Sequence, residues 1–269
     1  MSYCLKQLIV GIKGAGEMAS AVAWRLYQAN IKRIFMCEVP QPLAVRRKVS
    51  FCEAVYEGRQ VVEDVTAVMV QDLDSLREAW ERGYIGVAVD PHWELLKGVG
   101  PQVLVDGILA KRNLGTSRAE APLVIALGPG FIAGVDAHMV IETNRGHDLG
   151  RIITQGEAQP NTGVPGNIGG YTEERVLRAP GDGVFQAIKC IGDLVSCEDV
   201  VGRVDDLEVR AGVSGVIRGL IRDGTLVNKG LKIGDIDPRG RREFCPTISD
   251  KARSIAGSVL EAVLRVYNR

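Results

Sequence analysis

One stretch in the middle of the chain, residues 114–151, constrains the fold more than any other part of the sequence. Its apolar run Leu123–Leu127 predicts a strand that is buried on both faces of a sheet. The turn Gly128-Pro129-Gly130 breaks this run, and a second apolar run, residues 139–141, leads into a polar segment that starts at Glu142. Because open α/β sheets bind ligands outside the carboxyl ends of their strands, the stretch predicts half of a small-molecule site.

The polar segment supplies the side chains that we expect to act on a ligand. His147 is the candidate catalytic acid–base, tuned by Glu142. For a pterin nucleotide, Arg145 and His147 are expected to contact anionic oxygens. For a hydride-transfer reaction, His138 and Asp148 are the alternative acid–base and tuning residues. A structural role is the simpler interpretation of His138, because this residue lies beside an apolar run.

Composition excludes several classes of function. The chain has 269 residues, of which 46% are hydrophobic and 25% charged, so it is long enough for a large core and a second small domain. Its 33 Lys and Arg residues balance 33 Asp and Glu residues, and only 5% of residues are aromatic, so neither a nucleic-acid partner nor a membrane is expected. The six cysteines form no C-x-x-C pair, which predicts cytoplasmic thiols and no metal site.

The N-terminal segment has the pattern of a βαβ unit that binds a nucleotide. A predicted strand, residues 7–12, runs into a glycine turn and a helix, and the next strand ends at Glu38, where an acid would hold ribose hydroxyls. Small residues let a pyrophosphate approach the N–H groups of the helix N-terminus, although a tight turn without a ligand gives the same pattern. The predicted cofactor-binding residues are Gly14, Ala15, Gly16, Glu17, Met18 and Glu38, with Gly128, Pro129 and Gly130.

Two arginines extend the predicted ligand site. Residues 42–56 predict a helix with an apolar stripe, and this predicted helix carries Arg46 and Arg47. Although the acid at Glu38 disfavours NADP, these two arginines would meet a phosphate just beyond it. A solvated helix face explains the same cations equally well.

Further apolar runs also end in acidic residues. Asp90 and Asp106 each follow such a run, and a parallel sheet with its polar edge on one side produces this pattern. Both acids are therefore expected at the same cleft as Glu38. Helix capping is the alternative, and it is the preferred interpretation of the neighbouring His92.

The C-terminal third contains an internal repeat. Gly183-Val184 recurs 32 residues later as Gly215-Val216, and Val204-Asp205 recurs as Ile236-Asp237. Two copies of a unit too small to bury its own apolar face predict a small all-β domain, which resembles the biotinyl/lipoyl domain. The hairpin tip that would carry the modified lysine holds Asp205-Asp206 instead, so we expect this architecture without a swinging cofactor.

These patterns together predict an α/β fold with three parts. Residues 1–180 are expected to form a Rossmann-like domain with a parallel sheet, and residues 181–238 a small barrel-sandwich of the biotinyl/lipoyl type. Residues 239–269 are expected to carry a helix that packs back on the first domain. A homo-oligomer is compatible with this plan.

Longer motifs carry a resemblance to a known family. They lie at residues 12–20, 42–58, 127–134, 142–150, 161–166, 234–239 and 248–252, and include Ile12-Lys-Gly-Ala-Gly-Glu-Met-Ala-Ser20 and Glu142-Thr-Asn-Arg-Gly-His-Asp-Leu-Gly150. The chain resembles the YqeB-type accessory proteins of selenium-dependent molybdenum hydroxylases. The resemblance implies a cytoplasmic maturation factor that binds a nucleotide or a molybdopterin-type cofactor and delivers or modifies it for the apo-hydroxylase.

Two alternative functions stay open from the sequence. One is an NAD-dependent oxidoreductase that acts on a small substrate, so that the candidate cofactors are a molybdopterin nucleotide and NAD(P). The other is a non-catalytic interaction scaffold, which the fold alone does not distinguish from an enzyme. The sequence does not decide which ligand binds, or whether selenium or sulfur passes through a thiol such as Cys37 or Cys245.

Overall fold

The computed structural model describes residues 5–268, which form two compact units. The first unit contains Met1–Pro42, Val49–Asn161 and Ile248–Arg269, and the second contains Leu43–Lys48 and Thr162–Thr247. Cys4, one of the six cysteines counted above, lies outside the described residues. Each unit therefore takes its residues from more than one part of the chain.

The first unit alternates strands and helices over most of its length. Its elements are β1 (Ile9–Lys13), α1 (Glu17–Gln28), β2 (Arg33–Glu38), α2 (Ala54–Glu57), β3 (Arg59–Val62), β4 (Val65–Val70), α3 (Leu73–Glu81), β5 (Ile85–Val89), α4 (Glu94–Val99), β6 (Val103–Asp106), β7 (Leu123–Leu127), β8 (Ile132–Ala133), β9 (Met139–Ile141), β10 (Ile152–Ile153), β11 (Gly156–Glu157) and α5 (Asp250–Tyr267). The second unit holds β12 (Val176–Arg178), β13 (Gly183–Ala187), β14 (Leu194–Val195), β15 (Val200–Val204), β16 (Leu207–Arg210), β17 (Gly215–Leu220), β18 (Thr225–Val227) and β19 (Lys232–Asp237).

Nine strands of the first unit form one mixed sheet. Their order is β10-β9-β7-β6-β1-β2-β5-β4-β3. The inner strands from β9 to β4 pair in parallel, whereas β3 pairs antiparallel with β4 and β10 pairs antiparallel with β9. The apolar run Leu123–Leu127 is β7 and is buried throughout, as a strand covered on both faces must be.

Helices α1 and α5 pack against each other in the first unit. Ser249 begins α5, because its hydroxyl accepts the N–H of Ala252. The buried stripe of α5 is Ala252, Ile255, Ala256, Val259, Ala262 and Val263. Within residues 5–268, no helix combines the length and the apolarity that crossing a membrane requires.

The second unit contains two four-stranded antiparallel sheets. Their orders are β12-β19-β17-β14 and β16-β15-β13-β18. The repeat noted in the sequence corresponds to β13, β14 and β15 in the first copy and to β17, β18 and β19 in the second. Each copy places two strands in one sheet and its middle strand in the other, and the shared core includes Phe185, Val204, Ile217 and Ile236. Neither copy can bury its apolar side chains without the other.

The predicted fold class is corrected in two respects. The large sheet is mixed rather than a Rossmann-like parallel sheet, because the turn Glu63-Asp64 folds β3 back on β4, with Glu63 in the left-handed region at φ 52°. The second unit is not the predicted biotinyl/lipoyl-like barrel-sandwich of residues 181–238. β12, which lies before residue 181, pairs with β19, and the distant segment Leu43–Lys48 joins the unit.

Candidate functional site

The strand order of the large sheet reverses beside β1. The chain passes from β1 to β2 on one side and later returns to place β6 on the other. Lys13 and Asp106, the last residues of β1 and β6, are register partners. The crevice outside such a reversal is where open α/β sheets bind ligands, so this carboxyl edge is the candidate site.

The glycine turn after β1 has one position that requires glycine and one that leaves open space. Gly14 has φ +85°, and a Cβ built on it would lie 3.3 Å from Cα of Ile108. Its N–H donates to the carbonyl oxygen of Cys37 at 2.8 Å, which holds the turn against the end of β2. Gly16 has nothing within 4 Å of a Cβ built on it, and α1 starts after it without a side-chain cap. Gly16 therefore faces space that a ligand would enter.

Glu38 turns toward the glycine turn. Its Oε1 accepts the N–H of Ala15 at 2.7 Å, and its Oε2 accepts the N–H of Val39 at 2.9 Å. Burial raises the pKa of the Glu38 carboxyl, against these two hydrogen bonds, which favour the ionised form. The structure therefore brings together the predicted residues Ala15 and Glu38. The Glu38 carboxylate occupies the N–H of Ala15, a donor that an anionic ligand would otherwise use.

A buried polar network lies where β1 and β6 end. Nζ of Lys13 donates to Oγ1 of Thr116 at 2.9 Å and to both carboxylate oxygens of Glu120 at 2.8 and 3.0 Å. The Thr116 hydroxyl donates to Oδ2 of Asp106 at 2.6 Å. Lys13 is 1% exposed and Asp106 2%, so this network is inside the protein. Nζ of Lys13 also lies 4.7 Å from the centre of the Trp93 ring, at cation–π distance.

Burial shifts the pKa values of ionisable groups at this edge. Burial raises the pKa of the Asp106 carboxyl, and the hydrogen bond from Thr116 and the charge of Lys13 oppose that rise. Burial and the neighbouring Asp90 carboxylate also raise the pKa of the Cys37 thiol, whose Sγ lies 3.5 Å from Oδ2 of Asp90. Perturbed groups that cluster at one edge of a sheet mark a candidate functional site.

Asp90 caps a helix at the same edge. Its carboxylate accepts the N–H of Glu94 at 2.7 Å and that of Leu96 at 3.1 Å, so it holds the start of α4. His92 is exposed in the turn between Asp90 and the start of α4. The capping alternative therefore applies to Asp90, whereas Asp106 belongs to the buried network.

The predicted glycine turn after β7 shapes the backbone. Gly128 has φ +79°, and a Cβ there would lie 2.5 Å from Oγ1 of Thr143. Gly130 has φ +103°, and its Cβ would lie 2.6 Å from the backbone of Arg112. Pro129 between them is partly buried. The positive φ of both glycines and their close neighbours, a side chain for Gly128 and the backbone for Gly130, explain them without a ligand.

The predicted catalytic pair lies in two different environments. Glu142 is buried, and its carboxylate accepts the N–H groups of Asn144 and Gln159, each at 2.7 Å. His147 is exposed. Arg145 forms a bidentate ion pair with Asp250, with both N–O distances 2.9 Å. Glu142 and Arg145 thus have structural partners, and the catalytic role of His147 stays a prediction.

Arg46 and Arg47 belong to the second unit. The Arg46 guanidinium donates to three carbonyl oxygens, those of Phe244, Cys245 and Thr247, and Arg47 donates to the carbonyl oxygen of Leu220 at 2.8 Å. The helix predicted over residues 42–56 is wrong. Two single-turn 3-10 helices, Arg47–Val49 and Phe51–Glu53, stand there before α2, because these tertiary contacts override the local periodicity.

Sequence reasoning missed Lys13, Thr116 and Glu120. A lysine that closes an apolar strand directly before a glycine turn is an unusual residue for a strand buried on both faces, and this was the available signal. Thr116 and Glu120 carried none, since they lie in the irregular segment between β6 and β7. Among the described residues, no group of three or more His, Cys, Asp or Glu side chains is arranged to hold a metal ion.

Comparison with known proteins finds one informative relative. The chain is 50% identical over 263 residues to the uncharacterized protein YqeB of Escherichia coli (strain K12), and this match covers 98% of the chain. The chain spans 48% of the length of that protein. No family model matches the chain. The resemblance to YqeB is therefore supported, whereas the selenium-dependent role attached to it is not.

Solved structures give only distant likenesses. An aspartoacylase family protein from Mesorhizobium loti is 14% identical with a TM-score of 0.28, and the match covers 85% of this chain and 84% of that one. The product-bound ectoine utilization protein EutE of Ruegeria pomeroyi is 11% identical with a TM-score of 0.24, over 84% of this chain and 56% of that one. Similarity this low does not carry an activity from those proteins to this chain.

The predicted function is corrected on these findings. The two solved structures are named for aspartoacylase and for ectoine utilization, and their likeness to this chain is too low to bear on its function. The relative that covers nearly the whole chain is named only as uncharacterized. The roles as hydroxylase accessory protein, NAD-dependent oxidoreductase and interaction scaffold are therefore not retained.

Proposed function

We propose that this chain binds a small polar molecule at the carboxyl edge of the large sheet, where β1, β2 and β6 meet, and exchanges a proton with it through Asp106. One observation carries the proposal. Among the described carboxyl groups with a resolved shift, those with a raised pKa are Glu38 and Asp106, and they end the two strands that flank β1. A carboxyl group that burial makes easier to protonate is a candidate for general acid–base chemistry.

Charge at this edge favours one class of ligand. The edge combines one lysine with four carboxyl groups, namely Lys13, Glu38, Asp90, Asp106 and Glu120. A ligand rich in phosphate would meet these carboxylates at short range, which is unfavourable. A neutral ligand rich in hydroxyl or amino donors would instead find acceptors. We therefore expect a polyhydroxylated or amino-bearing molecule rather than the phosphate-bearing cofactor expected from the sequence.

The first experiment is a thermal-shift and calorimetric screen of the whole chain. One arm contains sugars, nucleosides and amino acids, and the other contains phosphate, NAD, CMP and GMP. A ligand at about a hundred times its Kd adds about 2.7 kcal/mol, which raises the Tm of a unit of this size by roughly 5–10 °C. A response confined to the phosphate-bearing arm would contradict the proposed ligand class, and no response in either arm would contradict the proposed site.

A matched pair of variants tests the location. Gly16→Arg places a long side chain into the open space before α1, whereas Gly98→Arg places one into open space near the end of α4. Neither glycine has a positive φ, so both variants are expected to fold. Binding should be lost in Gly16→Arg and retained in Gly98→Arg. Equal affinity in the two variants would place the ligand elsewhere.

A further inference from the structure

The polar groups beside Asp106 form a directed chain of hydrogen bonds. The chain runs from the Glu120 carboxylate through Lys13 and Thr116 to Asp106, with N–O or O–O distances of 2.8, 2.9 and 2.6 Å. Lys13, Thr116 and Asp106 are each less than a tenth exposed, whereas the Glu120 side chain is 21% exposed. The chain therefore connects a carboxyl group inside the protein to one that solvent reaches.

The chemistry of the donors fixes the direction of each bond. A protonated lysine donates and never accepts, so Oγ1 of Thr116 must accept from Lys13. The hydroxyl has one proton, and this proton must then point to Oδ2 of Asp106. Oδ2 is thereby an acceptor, and any proton that Asp106 carries lies on Oδ1. Oδ1 accepts one hydrogen bond, from the N–H of Ile108 at 3.2 Å, and keeps a second lone pair for a proton.

We propose that Lys13 and Thr116 are positioning residues that direct the exchangeable proton of Asp106 to Oδ1 and favour the ionised form of its carboxyl. The charged groups that act on Asp106 through space are Lys13 and Glu120, of opposite sign. Thr116, which accepts from Lys13, donates to Oδ2 of Asp106 only, and this leaves Oδ1 for a ligand. The use of this proton on a ligand rests on the proposed function, whereas its placement does not.

The test is a carbon-13 NMR titration of aspartate carboxyl groups in the whole chain without a ligand. Asp106→Asn removes one resonance and so assigns it. In Thr116→Val the hydrogen bond to Oδ2 is lost, and at a given pH the ratio of protonated to ionised Asp106 should rise about tenfold, which corresponds to one hydrogen bond to a charged group. Thr116→Ser keeps the hydroxyl and should titrate like the wild type.

The outcomes separate this inference from the proposed function. If Thr116→Val leaves the Asp106 titration unchanged, or if Thr116→Ser shifts it as far as Thr116→Val does, the positioning role is wrong. Lys13→Met gives an independent check, because loss of the positive charge should raise the protonated fraction in the same direction. Failure of every ligand in the screen would refute the proposed function and leave the titration result standing.

Discussion

Lys13→Met tests how much the buried network stabilises the first unit. The substitution nearly conserves side-chain length but removes the ammonium that binds Thr116 at 2.9 Å and Glu120 at 2.8 Å. Removing one partner of a buried ion pair costs about 3–5 kcal/mol, because the other charge stays buried. Glu120 is 21% exposed and can be hydrated, so we expect the lower end of that range, about 3 kcal/mol.

Tryptophan fluorescence during urea or thermal unfolding measures this loss. The three tryptophans, Trp24, Trp80 and Trp93, all belong to the first unit, so their signal reports its unfolding rather than that of the second unit. A loss of about 3 kcal/mol corresponds to a fall in Tm of roughly 6–12 °C for a unit of this size. Lys97→Met, on the exposed face of α4, is the control and should change stability by less than about 0.5 kcal/mol.

A double variant identifies the source of the loss. In Lys13→Met/Glu120→Gln the carboxylate without a counterion is also removed, so part of the lost stability should return. If Lys13→Met alone stays within about 1 kcal/mol of the wild type, Lys13 is not held in a buried polar network at this edge.

Two further predictions concern the glycine turn and the thiols. Gly14→Ala should destabilise the first unit by about 1–2 kcal/mol, because Gly14 has φ +85° and the backbone of Ile108 is close. Gly16→Ala should be nearly neutral, because a Cβ there meets nothing within 4 Å. Equal unfolding midpoints of the two variants would contradict this contrast. Thiol titration of the native protein should show rapid reaction of the exposed Cys190 and Cys197 and slow reaction of the buried Cys37, Cys52 and Cys245. Burial also raises the pKa of the Cys37 and Cys245 thiols. Rapid modification of the three buried thiols would contradict their burial in the core.

Local patterns predicted several elements closely. The apolar run at residues 123–127 is β7, and the glycine turn leads into α1. Each of these signals involves residues near one another in sequence, where periodicity and capping chemistry decide the conformation. The prediction of α5 succeeded for the same reason, with Ser249 at its start.

The misses depend on contacts between distant residues. Lys13 and Thr116 are 103 positions apart, so no local pattern shows that one binds the other. The hairpin that makes the sheet mixed turns at Glu63-Asp64, a pair that lacks the glycine or asparagine typical of such turns. The segment around Arg46 has helical periodicity, but three carbonyl groups of the second unit determine its conformation.

The division of the chain into two discontinuous units has a consequence for synthesis. The Ser249 hydroxyl at the start of α5 donates to Glu17 at the start of α1, 232 residues earlier, and α5 covers α1 along its buried stripe. During translation α1 therefore waits, with its apolar face uncovered, until the whole second unit has been made. Leu43–Lys48 is synthesised early and waits in the same way for the strands that it joins. A nascent chain of this protein therefore exposes apolar surface for most of its synthesis. At a translation rate of about 5–20 residues per second, this period lasts about 10–50 s. Early release from the ribosome would leave both units incomplete.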